Sequence, residues 1–190
     1  MSNPDRYREA INRTSVWEHD HTILNSGLHS YDKAHMERLA GYFNEYALVM
    51  SGVKDVLRER RARVVVGMPN GMPDLLRPMV YRPDFLTVQA TKVASRKFDV
   101  MYTDVPVVRS AETICVIEDV VTTGGTPAAM ADTLLAINPD IELHLLTILQ
   151  RGELDPAHLA RFASFTALAV DLRPAWDKQD CPNEECREAA

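Results

Sequence analysis

The run Val116-Ile117-Glu118-Asp119-Val120-Val121-Thr122-Thr123-Gly124-Gly125-Thr126 sets two adjacent carboxylates directly before a loop of hydroxyls and glycines. Apolar, largely β-branched residues precede the acids, so a buried strand over Thr113 to Glu118 delivers them to its carboxyl end. A helix over Thr126 to Ile137 follows. Backbone N–H groups at a helix N-terminus, with the positive end of the dipole, form a cradle for phosphate. Gly124 and Gly125 let the backbone approach phosphate oxygens closely, and Thr122, Thr123 and Thr126 add hydroxyl donors. Adjacent carboxylates would repel a phosphate. They accept hydrogen bonds from sugar hydroxyls, however, and help to organise a magnesium ion that a ligand carries. A phosphate next to a diol is a ribose 5-phosphate. No Gly-Lys-Ser/Thr follows, so the loop is not a Walker A motif, and it is not Gly-x-Gly-x-x-Gly either. The plain alternative is a strand-to-helix turn that is merely rich in Thr and Gly.

Other residues with chemical potential are weaker signals. Trp17-Glu18-His19-Asp20-His21 suggests a metal clasp, but without matching ligands it reads as a polar segment in which Trp17 packs. Cys181-Pro182-Asn183-Glu184-Glu185-Cys186 offers two thiols, which alone cannot complete a tetrahedral zinc site. His or Cys from elsewhere in the chain, or from a second subunit, would be needed. An unmetallated acidic tail is the expectation there. Cys115 lies within the predicted strand and reads as core.

The elements that must position the signature are legible as an alternation. Met36, Leu39, Phe43, Tyr46, Met50, Val53 and Leu57 recur at steps of three or four, which predicts a helix over Ala34 to Leu57, with a possible break near Gly52. The basic run Arg58 to Arg63 reads as a solvated connector at its end. Strands are expected at Arg63 to Gly67, Phe85 to Ala90, Val105 to Val108, Ile141 to Leu149 and Phe165 to Val170, besides the signature strand. Helices are expected at Met72 to Val80, shortened or kinked by Pro78, and at Pro156 to Phe162. Strands alternating with helices imply an α/β fold with a mostly parallel sheet of about five strands flanked by helices. Ligands in such sheets bind outside the carboxyl ends of strands, where the loops Gly67 to Gly71 and Thr122 to Gly125 both fall.

The chain of 190 residues suits one such domain. With 46% hydrophobic and 25% charged residues it has an ordinary globular balance. A net charge of −6 does not suggest binding to nucleic acid or to an anionic membrane. No apolar run of about 18 residues and no leader pattern is seen. Three cysteines, an odd count, fit a reducing compartment, so a cytoplasmic location is expected.

The run from Val116 to Thr126 resembles the phosphoribosyl pyrophosphate signature of type I phosphoribosyltransferases. Three further segments resemble the orotate branch of that family. His21-Thr22-Ile23-Leu24-Asn25-Ser26-Gly27-Leu28-His29-Ser30 is similar to the N-terminal hood that folds over the base. Val66-Gly67-Met68-Pro69-Asn70-Gly71-Met72-Pro73 is similar to the pyrophosphate loop. Leu149-Gln150-Arg151-Gly152-Glu153 is similar to the Asp-Arg-Gly-Glu segment. Two departures stand out. Asn70 occupies a position where many orotate enzymes have lysine. The stretch Ala90 to Asp99, equivalent to a mobile Lys-x-x-Lys-x-His-Gly loop, lacks the histidine and glycine. The tail from Cys181 to Cys186 resembles a Cys-Pro-x-Cys-Arg ending of some orotate-type members, with longer spacing.

The resemblance implies a hood over residues 1–35, a core over 36–175 and a tail over 176–190. It implies transfer of the 5-phosphoribosyl group from phosphoribosyl pyrophosphate to a base, with orotate the leading acceptor and pyrophosphate released. Glu118 and Asp119 would bind the ribose hydroxyls, and Val120 and Val121 would lead into a phosphate loop of Thr122, Thr123, Gly124, Gly125 and Thr126. Met68, Pro69, Asn70 and Gly71 would hold pyrophosphate. Lys92, Arg96 and Lys97 would serve catalysis by spreading positive charge over the leaving group, and Asp119 would join them as a catalytic residue through the ribose hydroxyls; a basic surface loop without a role is the alternative. Ser26, Gly27 and Arg151 would meet the base, Arg151 through its planar fork. His29 and Ser30 sit in the hood motif, where ligand contact and a structural hydrogen bond are equal expectations for the histidine. Magnesium would arrive with the substrate, aided by Glu118 and Asp119 rather than by a dedicated set of protein ligands. A homodimer with shared sites, and no nucleic-acid or membrane partner, is expected. Two other readings stay open: a different acceptor, purine or unusual pyrimidine, and a non-catalytic regulatory protein that binds a nucleotide or the donor.

Overall fold

The computed structural model describes residues 4–69, 72, 75, 85–94, 97–184 and 186. The chain opens with helix α1 (Pro4–Asn12) and then forms four two-residue strands, β1 (Trp17–Glu18), β2 (Thr22–Ile23), β3 (His29–Ser30) and β4 (Lys33–Ala34). β1 pairs with β4 and β2 with β3, both antiparallel, so this hood shares no strand with the main sheet. A 3-10 helix, Met36–Gly41, leads into α2 (Phe43–Glu59). The core strands follow as β5 (Val64–Gly67), β6 (Leu86–Val88), β9 (Thr113–Val121), β10 (Glu142–Gln150) and β11 (Ser164–Val170). A hairpin of β7 (Ala90–Ala94) and β8 (Lys97–Val100) lies between β6 and β9, as does α3 (Val105–Ser110). Helix α4 (Gly125–Ile137) links β9 to β10, and the short α5 (Pro156–Leu159) precedes β11.

The five core strands run in the order β11-β10-β9-β5-β6, and every pairing is parallel. Their side chains alternate between two apolar layers, as a pleated sheet requires. Val65, Cys115, Ile117, Leu146 and Ile148 face a layer built with Tyr7 and Ile11 of α1 and Val49, Met50, Val53 and Leu57 of α2. Val64, Val66, Ile114, Val116 and Leu145 face the other, built with Met130, Ala131 and Leu134 of α4 and with Phe98 and Val100 of the hairpin. Burial on both sides explains the near-continuous apolar reading of β9 and β10. Cys115 belongs to this interior: burial pushes its thiol up to about 12, which removes it as a nucleophile.

Several expectations are corrected. The helical stripe from Ala34 is interrupted at Tyr42, not at Gly52, which lies inside α2. Gly52 is there for close packing, because a Cβ at that position would sit 2.6 Å from the Tyr7 hydroxyl. Val105 to Val108 is not a strand. Pro106 in the first turn suits a helix start, and Asn138 caps the far end of α3 by donating to the carbonyls of Val108, Arg109 and Ala111. The strand expected over Phe85 to Ala90 divides into β6 and the start of β7. The expected helix Met72 to Val80 lies largely outside the described residues; Met72 and Leu75 are helical and buried.

Candidate active site

β9 runs three residues beyond the expected Glu118, to Val121, and delivers Glu118 and Asp119 to the carboxyl edge of the sheet. After it the chain turns through Thr122 and Thr123 to Gly124, which takes φ +85° as the residue before α4. Glycine adopts this left-handed conformation without steric cost. The first N–H groups of α4 have no intrahelical acceptor and point out of its N-terminus. The loop is held from behind: the N–H groups of Arg151 and Asp155 donate to the carbonyls of Val121 and Thr123, and the His158 ring lies 3.0 Å from the Thr123 carbonyl. Gly152 permits this approach, since a Cβ there would lie 2.7 Å from the Thr122 carbonyl oxygen.

A cavity of about 420 Å³ opens over this edge. One wall is Glu118 to Thr122, with Thr126 and Pro127; the other comes from the hood, with Ser26 and Lys33 among its residues; Arg151 closes one side. Of the residues singled out in the sequence, Ser26, Glu118, Asp119, Val120, Val121, Thr122, Thr126 and Arg151 therefore share one cavity. Gly27 shapes the hood turn at φ +89°. Thr123, Gly124 and Gly125 complete the loop and the helix start beside the cavity. Met68 is buried after β5, its N–H donating to the Ile117 carbonyl, and Pro69 follows in a turn. Asn70, Gly71 and Arg96 lie outside the described residues. Lys92 projects from β7 and Lys97 opens β8, and neither lines the cavity.

Burial disfavours the charged forms of both carboxyls in the cavity. Burial raises Glu118 well above its ordinary range, the neighbouring Asp119 adds to this, and Lys92 opposes it. Lys92 thus acts on the site across the space between hairpin and sheet. Asp119 is raised from 3.8 to about 6, mainly by burial, while the Val120 N–H, donating to its Oδ1 at 2.9 Å, pulls the other way. Among the described residues Glu118 Oε2 has no hydrogen-bond partner. A buried, unpartnered carboxylate oxygen suits a sugar hydroxyl or a hard cation.

Arg151 is 1% exposed. One terminal nitrogen donates to the Ser30 hydroxyl at 2.9 Å, and that hydroxyl donates in turn to the Pro174 carbonyl at 2.7 Å. Nε and Nη1 meet no partner among the described residues. Burial pulls the guanidinium below its ordinary value, and Asp32 counteracts this. One arm of the guanidinium is anchored, and its other nitrogens are buried and unpartnered among the described residues. Ser30 is therefore a support for Arg151 rather than a lining residue, and His29 turns away from the cavity towards Cys186. Lys33, His35 and Glu37 line the cavity without having been singled out in the sequence. They stand in a polar stretch with no motif of its own: Lys33 lies in β4, His35 follows it, and Glu37 opens the 3-10 helix.

The chain has the fold of the type I phosphoribosyltransferases. A scan of family models and a search of curated proteins find no match to the sequence. Similar solved structures include the orotate phosphoribosyltransferase of Aeropyrum pernix, at TM-score 0.66 and 19% identity, covering 86% of this chain and 93% of that one. The UMP synthase of Leishmania donovani matches at TM-score 0.66 and 18% identity, over 87% of this chain but 36% of that one. The adenine phosphoribosyltransferase of Thermoanaerobacter pseudethanolicus matches at TM-score 0.57 and 13% identity, over 73% and 88%. Among the described residues no helix is long and apolar enough to cross a membrane.

Proposed function

We propose that this protein transfers the 5-phosphoribosyl group from phosphoribosyl pyrophosphate to a ring nitrogen of a base, with orotate as acceptor. The observation that carries the reading is one cavity that joins a ribose-phosphate loop to a buried, half-free guanidinium under a hood. The N-terminus of α4, with Thr122 and Thr126, holds the 5-phosphate. Glu118 and Asp119 accept hydrogen bonds from the ribose hydroxyls. The unpartnered Nη1 of Arg151, beside the Nη2 that Ser30 anchors, donates to a carboxylate or carbonyl of the acceptor, which favours an anionic pyrimidine over a purine. Ser26 and the turn at Gly27 cover the base.

In the reaction the bond from C1 of the ribose to the pyrophosphate oxygen breaks, and a bond from C1 to the acceptor nitrogen forms. The pyrophosphate leaves with the electron pair of the broken bond. Lys92, whose charge already reaches Glu118, and Lys97 bring positive charge to the departing group, with Met68 and Pro69 at the pyrophosphate side. Magnesium carried by the donor supplies further neutralisation of the pyrophosphate, and the carboxylate oxygens of Glu118 and Asp119 are suitable donors for it. A homodimer that brings a second basic hairpin to each site completes the proposal.

Incubation with phosphoribosyl pyrophosphate, magnesium and a panel of bases, with release of pyrophosphate as the readout, tests it. Turnover with orotate is expected. Turnover only with another base moves the acceptor, and binding of the donor without pyrophosphate release from any base overturns the catalytic reading.

A further inference from the structure

Away from the cavity, the hood and the tail meet at four side chains of one kind of chemistry. His21, His29, Cys181 and Cys186 each offer one ligand atom, and all four atoms lie within 4.8 Å of one another. Cys181 Sγ is 3.3 Å from His21 Nε2, Cys186 Sγ is 3.0 Å from His29 Nδ1, and the two ring nitrogens are 3.4 Å apart. A tetrahedral zinc with sulfur at about 2.3 Å and nitrogen at about 2.0 Å has neighbouring ligand atoms roughly 3.3–3.8 Å apart. Two of the three spacings fall in that range, the third is about 0.3 Å shorter, and no pair exceeds 4.8 Å, so small shifts of the side chains admit the ion. We propose that these four residues bind a structural zinc ion that fastens the C-terminal tail to the hood.

Local structure explains how ligands so distant in sequence converge. The β2–β3 ladder pairs Ile23 with His29 and sets His21 just beyond its end. The backbones of His29 and Trp176 exchange two hydrogen bonds, at 2.8 and 2.9 Å, which draws the tail alongside β3. A short 3-10 helix, Lys178–Asp180, then turns the chain so that Cys181 points inward. Cys181 is fully buried and His29 nearly so, while His21 and Cys186 are half-exposed. Among the described residues no carboxylate belongs to the cluster. Two thiolates and two neutral imidazoles around a divalent ion sum to zero charge, so the group can be buried without a counter-ion. The spacing Cys-x4-Cys fits a zinc half-site, and two sulfurs with two nitrogens in a tetrahedron select zinc among common metals. Four protein ligands leave no open position, so the ion holds structure and takes no part in chemistry. The two thiols that cannot complete a site alone are completed from within the same chain. This inference does not depend on the proposed reaction.

The test uses the full chain, purified in reducing, chelator-free buffer and supplied with zinc. Elemental analysis is expected to find about one zinc per chain. X-ray absorption at the zinc edge should show two sulfurs at about 2.3 Å and two nitrogens at about 2.0 Å. Cobalt exchanged into the site should give the intense visible bands of a tetrahedral thiolate complex. The half-exposed variants His21→Ala and Cys186→Ser should lower zinc retention to about one-tenth or less. Free thiols with no bound zinc, a Cys181–Cys186 disulfide that persists in reductant, an all-oxygen-and-nitrogen absorption spectrum, or full zinc retention by both variants would each overturn the proposal. The absorption measurement needs only the wild-type chain, so a variant that fails to fold does not spoil the test.

Discussion

Asp119 sits in the cavity with a carboxyl raised by burial from 3.8 to about 6, and burial also raises Glu118 beside it well above its ordinary range. A carboxyl whose folded pKa exceeds its unfolded value destabilises the fold when ionised. That cost is absent below the unfolded value near 3.8, grows as pH rises towards 6, and is fully present above about 6. The ligand-free protein therefore holds these charges against its own stability. Asp119→Asn should stabilise the free protein by about 1–3 kcal/mol at pH 8, with the gain shrinking towards pH 4. The same change should weaken binding of phosphoribosyl pyrophosphate. Chemical denaturation at the two pH values and calorimetry check both halves. A variant of unchanged affinity would remove Asp119 from the site.

Two glycines act by absence of a side chain, one between helices of the core and one behind the cavity loop. Gly52→Ala would drive a methyl group into the buried Tyr7 ring where α1 crosses α2. Alanine gains up to about 1 kcal/mol in helix propensity, while overpacking costs about 1–3 kcal/mol. A net loss of stability is expected in thermal melts, with affinity for the donor little changed. Gly152→Ala presses on the Thr122 backbone instead. A carbonyl in a pinned loop cannot swing aside as a side chain can, so donor affinity should fall by about tenfold or more, a loss of roughly 1.4 kcal/mol. Calorimetric titration against wild type measures this. These elements also mark what could be read in advance. β9, α4, β10 and β11 were legible because two-sided burial leaves a run of apolar residues bounded by turn chemistry. Helix α1 was missed, since Tyr7, Ala10 and Ile11 give only three buried positions in a polar segment. α3 was misread, because Val-Pro-Val-Val has strand propensity and only tertiary capping by Asn138 decides for helix. Within the cavity, the signature loop was legible by type and spacing, and Arg151 only through the resemblance of Leu149 to Glu153 to a family segment. Lys33, His35 and Glu37 were not, because a two-residue strand and the start of a short 3-10 helix leave no periodicity to detect. The convergence of His21 and His29 with the tail cysteines was equally hidden. Sequence separation of more than 150 positions carries no local signal.

For the molecule as a whole, ligand binding and folding are one equilibrium. Donor and magnesium at about 100 times the dissociation constant should stabilise the chain by about 2.7 kcal/mol, a rise in Tm of roughly 5–10 °C. Scanning fluorimetry reads this directly, and absence of any shift would count against a preformed donor pocket. Both ends of the chain are tied into that unit, α1 against the sheet and the tail against β3.

The hood shares no strand with the central sheet, yet residues 23–37 supply one whole wall of the cavity. Altered lengths or residues between Ile23 and His29 leave the register of β9 against β5 and β10 untouched. Descent can then rework one wall while inheriting the other intact. A lineage built on this plan can reshape the hood side of the cavity while the sheet edge stays as it was.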